Sequence, residues 1–495
     1  LLFTGPTFYP ETLPANPESK IENPESHMSD SRTSPEPEPS PATGEKWYSN
    51  ISQYQWLVLV IASLGWIFDV FEGQIFVASM RDAMPNLLGG VSADSPEVRS
   101  WNDMAFGSFL LGGAFGGVLF GMVSDKIGRS KTMIFTILFY SLFTCVTALS
   151  YAPWQMVILR FFVAMGVGGE WAVASAMVAE VMPLRSRSVM SSIFHGSSVF
   201  GTLLATAAGA FIVGNPALGE NGWRWGFAIG AVPALLTLWI RWKLREPDQW
   251  VKARDRAAEN IEEKTGRLSE LFVGTNLRGT IVGVSLASIG LVTFWGIHIY
   301  GKNALMRKAE SQLLADAKLP DAPTKKQKTA VLKEHEPELK RAEMLSMVLN
   351  TIGGGLGLIL FGTISDRIGR RGAFVLYHVV AFGMVLLLFK FLIPNDASVA
   401  VLSLVLPVFG FFTLGMHAGY AVYFPELYPT RLRGTGAGFC FNMGRLATAA
   451  AFFGFASLAD PPSEINKGLL LAPLYLLGAV VVLFGKETRG TELPD

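Results

Sequence analysis

From Tyr54 onward the sequence alternates between apolar runs of spanning length and short polar breaks. Roughly 20 apolar residues wound as a helix match the hydrocarbon thickness of a bilayer. Inside lipid the backbone can satisfy its own polar groups only as a helix or a closed barrel. The runs fall near 54–79, 101–123, 131–150, 154–179, 189–213 and 223–243. A second set falls near 278–300, 344–364, 372–393, 397–422, 434–458 and 466–485, the seventh shortened by polar breaks at Gly296 and His298. The fold class is therefore an all-α membrane protein with twelve transmembrane helices. Composition agrees, because 50% hydrophobic and 16% charged residues leave too little charge to coat a soluble chain of 495 residues.

An internal repeat sets the architecture. Gly121-x3-Asp125-Lys126-x-Gly128-Arg129 returns as Gly362-x3-Asp366-Arg367-x-Gly369-Arg370, displaced by 241 positions. Gly112, Gly113 and Gly116 match Gly353, Gly354 and Gly357, and Arg245-Glu246 matches Lys486-Glu487, at the same displacement. Glu180-x2-Pro183-x-Arg185-x-Arg187 returns as Glu426-x2-Pro429-x-Arg431-x-Arg433, displaced by 246. One six-helix unit used twice predicts two pseudo-symmetric bundles, 47–243 and 278–490, with a site between them. The linker 244–277 has room for short amphipathic helices, and 301–343 reads as a long extracytoplasmic loop. Residues 1–46, rich in Pro, Glu, Ser and Thr, read as a disordered cytoplasmic tail.

Basic residues choose the orientation. Lys126, Arg129, Lys131, Arg185, Arg187, Arg367, Arg370, Arg371, Arg431 and Arg433 follow even-numbered spans, and the linker is also basic. The breaks at 151–153, 214–222 and 394–396 hold none. The positive-inside rule then places both termini in the cytoplasm, in a plasma or inner membrane. The lysine-rich 301–343 segment runs against this pattern, but long loops cross largely regardless of charge. A net charge of +1 gives no reason to expect nucleic acid. Cys145 and Cys440 are too few for a disulfide framework or a metal set, and no catalytic constellation appears. Without a G-x4-G-K-[ST] run, no bound nucleotide is available to drive transport. The glycines at 112–121 and 353–362 suit helix packing instead.

Over almost everything from Tyr54 to Gly490 these blocks resemble the major facilitator superfamily. The G-x3-D-[KR]-x-G-R motif after span two, with its partial return after span eight, carries the resemblance. Gly168-Gly169-Glu170-Trp171 in span four resembles the proton-coupled metabolite, sialate and carboxylate symporters. Asp69-x2-Glu72 in span one stands where aromatic-acid symporters carry two acids, here with Glu in the second place. Arg245-Glu246-Pro247 and Lys486-Glu487-Thr488-Arg489-Gly490 are similar to sugar porters instead. The resemblance implies a transporter rather than an enzyme, working by alternating access. It also links Asp125, Arg129, Asp366 and Arg370 to the outward-facing state.

A charge at bilayer depth costs on the order of 2.5–3.5 kcal/mol on insertion scales, so each buried ionisable group asks for a role. Asp69 and Glu72 lie one turn apart, and two carboxylates in a poorly hydrated cavity resist joint ionisation. One of them can then carry a proton, with Glu170 taking part in coupling. Arg160 either pairs with Asp69 or Glu72 or binds an anionic solute. Arg445, with Asn442 one turn before it, is the first choice for gripping a carboxylate in bidentate fashion. Trp66, Trp171 and Tyr420 are candidate cavity walls, and His195 and His417 are either titrating groups or packing donors. Glycines Gly121, Gly128, Gly362 and Gly369 permit close turns in a cytoplasmic gate closed by the aspartates and arginines of the repeat. Glu180 with Arg187, and Glu426 with Arg433, read as parallel latches.

These residues predict proton-coupled symport of a small organic anion such as a carboxylate, aromatic acid or sialic acid. They imply a monomer in lipid with no cofactor beyond the proton gradient. A sugar or polyol carrier is the alternative, and a membrane sensor without transport the remote one.

Overall fold

In a computed structural model of the protein, residues 46–93, 95–259, 264–317, 319–320, 324–456 and 463–494 are described. The proline-rich stretch before Lys46 lies outside them. The first half consists of span one (Gln53–Leu87), two (Pro96–Ile127), three (Arg129–Thr147), four (Pro153–Val181), five (Arg187–Val213) and six (222–243). The second half consists of span seven (Gly274–Gly301), eight (337–368), nine (370–392), ten (Val399–Glu426), eleven (Arg433–Ala456) and twelve (Ile465–Leu483).

Nine described helical segments are long and apolar enough to cross a membrane. One of them, Pro337–Leu392, is two spans, because the chain turns at Gly369 with φ +85°. Together with 222–243 and Arg433–Ala456, the described residues supply all twelve. Phe115, Leu142, Phe211 and Leu404 are exposed, as a lipid-facing wall requires.

Local chemistry sets the ends. Ser52 and Gln55 form a capping box at the start of span one, and Ser95 with Pro96 opens span two. Span seven continues through Gly296 and His298 by a π-helical turn rather than stopping there. The segment 301–343 is not a bare loop: helices Ala304–Asp316 and Lys325–Glu334 occupy it, and span eight begins at Pro337. These helices are polar on most sides, so a search for spanning hydrophobicity passes over them. The linker carries the helix Asp248–Glu259.

Glycine brings the helices together. A side chain at Gly112 or Gly116 of span two would strike the carbonyls of Phe161 or Met165 of span four. In the second half Gly353 and Gly357 meet the Pro407 and Phe411 carbonyls in the same way. Backbones this close exchange dispersion contacts that lipid tails cannot supply. Between the halves, span two packs on eleven and span five on eight. Gly121 lies against the Gly434 carbonyl and Gly362 against the Ser188 carbonyl, one contact made twice by the repeat.

The recurring glutamates Glu246 and Glu487 are helix caps. Span three starts directly after Gly128, with φ +114°, and its first amides would be orphaned. Glu246 accepts from the amides of Arg129 (2.6 Å), Ser130 (3.2 Å) and Lys131 (3.3 Å). Glu487 accepts from those of Arg370 (2.9 Å) and Arg371 (3.1 Å) at the start of span nine. Both glycines carry a positive φ, and a side chain on either would collide with the capping carboxylate. Burial opposes the charge of Glu487, yet these amides, that of Arg489 and the Arg370 charge hold its carboxyl below the usual range. Glu487→Gln is therefore expected to lower the thermal midpoint in detergent at pH 7. The deficit persists down to about pH 4.3, the unfolded value for Glu, and closes below it as the wild-type carboxyl protonates. A gap constant to pH 3 counts against the cap.

Candidate functional site

Between the halves lies a cavity of about 350 Å³, walled by spans one, two, five, seven, eight, ten and eleven. Trp66, Phe294 and Phe441 give it flat apolar faces, while Gln74, His195, His298, Lys302, Asn350, His417 and Arg445 give it polarity. No Asp or Glu lines it among the described residues. Trp171 closes its base from behind, stacked on Phe441 at 4.0 Å between centroids.

Arg445 belongs to span eleven but reaches into the first half. Its Nη1 occupies the space that side chains at Gly113 of span two and Gly168 of span four would fill. Asn442, one turn earlier, sits in the same way on Gly117 and bonds the Gly438 carbonyl at 2.9 Å. The glycines thus form a slot for two polar side chains of the opposite half. Beyond the slot lies Asp69 of span one, buried, with Glu170, Arg445 and Glu72 as its charged neighbours. Among the described residues no donor comes within hydrogen-bonding geometry of either Asp69 oxygen, the Tyr140 hydroxyl standing off beside it. Glu170 takes a hydrogen bond from Thr136 at 2.6 Å, and its other oxygen lies against Gly65 without a partner.

Glu72 faces elsewhere. Arg160 donates to it at 2.5 Å and to Thr147 at 2.9 Å, and Thr144 donates to Glu72 at 3.2 Å. The rings of Phe76 and Phe227 flank the guanidinium, 5.0 and 4.8 Å from it. This pair is sealed within the first half, away from the cavity. Removing one member of so buried a pair costs about 3–5 kcal/mol.

The motif side of the bundle is closed by charge. Arg129 bonds Asp125 (2.5 Å) and Glu180 (2.8 Å), all three fully buried. Asp125 crosses to the other half, accepting from the amides of Gly434 (3.0 Å) and Thr435 (2.8 Å) and the Thr435 hydroxyl (2.5 Å). A carboxylate is thereby placed on the positive N-terminus of span eleven. Glu180 crosses too, to Arg433 at 2.8 Å. In the second half Arg370 bonds Asp366 (2.8 Å) and Glu426 (2.9 Å), but Asp366 is 34% exposed and among the described residues its partner is Arg370 alone.

Sequence comparison now adds the lineage. Residues 75–452 match the Major Facilitator Superfamily. The chain belongs to that superfamily. A cis,cis-muconate transport protein of Acinetobacter baylyi is 28% identical, over 77% of this chain and 85% of its own. The sialic acid transporter NanX of Escherichia coli is 27% identical, over 82% and 87%. Among solved structures, the proton:xylose symporter XylE of E. coli superposes with a TM-score of 0.70 at 17% identity, over 89% of this chain and 98% of its own. The protein is a Major Facilitator Superfamily transporter integral to the membrane, and not an enzyme.

Within that superfamily fold, several expected placements change. The latches pair differently: Glu180 crosses to Arg433 and also bonds Arg129, not Arg187, while Glu426 stays in its own half with Arg370, not Arg433. Arg187 instead donates to the Ala179 carbonyl at 3.0 Å and lies 3.8 Å from Glu492. The repeat makes Glu180 equivalent to Glu426 and Arg187 equivalent to Arg433, and it leaves open whether a glutamate pairs within its own half or across the seam. Arg160 is committed to Glu72 and leaves the cavity wall. Trp171, Tyr420 and Asn442 stand behind that wall, Tyr420 donating to the Leu286 carbonyl at 3.0 Å. Gln74, Phe294, His298, Lys302 and Asn350 line it without having been singled out. Gln74 and Asn350, lone amides in apolar runs, carried the signal that was there to find.

Gly113→Ala is expected to push Arg445 from its slot and slow solute exchange in liposomes about tenfold or more, the equivalent of ~1.4 kcal/mol. At the pseudo-equivalent Gly354 the obstacle is the Leu414 side chain, which moves more cheaply than a buried guanidinium. Gly354→Ala should therefore cost less. Equal losses at both sites would remove the slot from the account.

Proposed function

We propose that the protein is a proton-coupled symporter of a small organic anion, working by alternating access as a monomer. The observation that carries this reading is the polarity of the cavity wall: Arg445, Lys302 and three histidines, with no carboxylate among the described residues. The Arg445 and Lys302 cations between aromatic faces favour a flat carboxylate. Relatives named for muconate and sialic acid transport support an acid as cargo.

Coupling follows from sharing one guanidinium between two acids. With Asp69 charged, Arg445 is held at the slot between the halves. A proton arriving at Asp69, from the Glu170 side, removes that attraction and frees Arg445 for the carboxylate of the solute. Loss of the proton on the other face of the membrane returns Arg445 to Asp69 and expels the anion. The proton gradient is the driving force and no cofactor takes part. The arginine-rich motif side faces the cytoplasm with both termini, so the cavity opens outward while the Asp125 and Glu180 bonds are made.

Proteoliposomes loaded for uptake of labelled carboxylates and sugars, with and without an inward proton gradient, test this. Gradient-stimulated acid uptake is expected. Asp69→Asn should lose the stimulation while still exchanging acid across the membrane at equilibrium. Arg445→Lys should fall about a hundredfold, because an ammonium cannot make the paired contact or fill the slot. Sugar uptake indifferent to pH, or normal acid transport by Arg445→Lys, would overturn the proposal.

A further inference from the structure

From sequence His195 reads as either a titrating group or a packing donor, and its surroundings fix its protonation. The indole N–H of Trp171 can only donate, and it points at His195 Nδ1 from 3.2 Å. Nδ1 must therefore present its lone pair, and the ring proton sits on Nε2. A doubly protonated imidazole would set N–H against N–H. The ring cannot turn away easily. Trp66 lies over it at 5.3 Å and 31°, and the Trp66 indole donates to the His195 carbonyl at 3.1 Å. Trp171 is in turn clamped by Phe441 of span eleven, at 4.0 Å and 22°. His417 of span ten lines the same cavity and is a titratable neighbour of His195.

The Nε2–H is left for the cavity, having no acceptor among the described residues. Arg445 and Asn350 belong to the same wall, but their unpartnered Nη1 and Nδ2 are turned into the helix packing against Gly113 and Gly410 rather than toward the cavity. An unused donor in an enclosed wall selects for an acceptor, since a solute lacking one leaves the donor dry and unbonded.

We propose that His195 is a specificity-determining residue, an uncharged and fixed donor that reads an acceptor oxygen on the solute away from its carboxylate. This rests on the organic-anion reading and narrows it to planar acids carrying a second acceptor, such as a ring carbonyl or a second carboxylate. His195 takes no part in proton coupling.

Two measurements on the full-length protein decide it. Equilibrium exchange, which needs no gradient, compares 4-acetylbenzoate with 4-isopropylbenzoate, where a methyl replaces the carbonyl oxygen. The wild type should prefer the acetyl acid by about tenfold, the effect of one enclosed hydrogen bond. His195→Phe should lose the preference, and His195→Gln, which keeps an N–H donor, should restore part of it. Nitrogen-15 NMR, with His195 assigned by its loss in His195→Gln, should show an unprotonated Nδ1 from pH 5.5 to 7.5, and Trp171→Phe should mix the tautomers. Acid exchange that ignores the acetyl oxygen, a preference surviving in His195→Phe, or a doubly protonated ring in that range would each overturn the role of His195. Exchange of neither acid would sink the anion reading and this inference with it, an outcome distinct from equal exchange of both.

Discussion

A guanidinium taken out of water must find negative charge, hydrogen bonds or a polar ligand, and in lipid it finds them only inside the protein. Arg445 meets this demand by leaving its own bundle. It passes through a gap cleared by Gly113 and Gly168 and comes to rest toward Asp69. The contact between the bundles therefore runs through an ion whose partner can be neutralised by one proton. Helix packing alone would join the halves with no dependence on the solute or on pH. In the coupling proposed above, charge shared across the seam is what makes it responsive.

The other buried ions follow a different logic. Glu72 and Arg160 satisfy each other within one half, flanked by threonine hydroxyls and phenylalanine faces. Nothing about that pair changes when the halves move apart, so it keeps four spans of one half in register. Asp69 stands only one turn away on the same helix and does the opposite, because its counter-charge lies across the interface. Two acids three residues apart thus face opposite ways, one to a partner in its own half and the other to a charge from the opposite half.

The spans were legible because a bilayer imposes length and hydrophobicity on every crossing helix, and all twelve appeared in the apolar runs. The two-half architecture was legible because the glycines and charges of the repeat recur with fixed spacing. Pairings were not. Repeats in sequence show which residues are equivalent but not which equivalent touches which, and Glu180 found Arg433 rather than Arg187. Arg160 could not be assigned because spacing along one helix says nothing about the face its neighbours present. The recurring Glu246 and Glu487 were visible as a pattern, yet their capping role needed the backbone of Gly128 and Gly369. His195 was visible only as a lone histidine, and its tautomer needed the direction of the Trp171 N–H.

The closure on the motif side is lopsided. Asp125 is buried and spends three hydrogen bonds on the opposite half, while its counterpart Asp366 keeps to its own half and touches water. Bonding on the motif side is therefore concentrated where spans two and four meet span eleven, and the slot that holds Arg445 lies along that same seam.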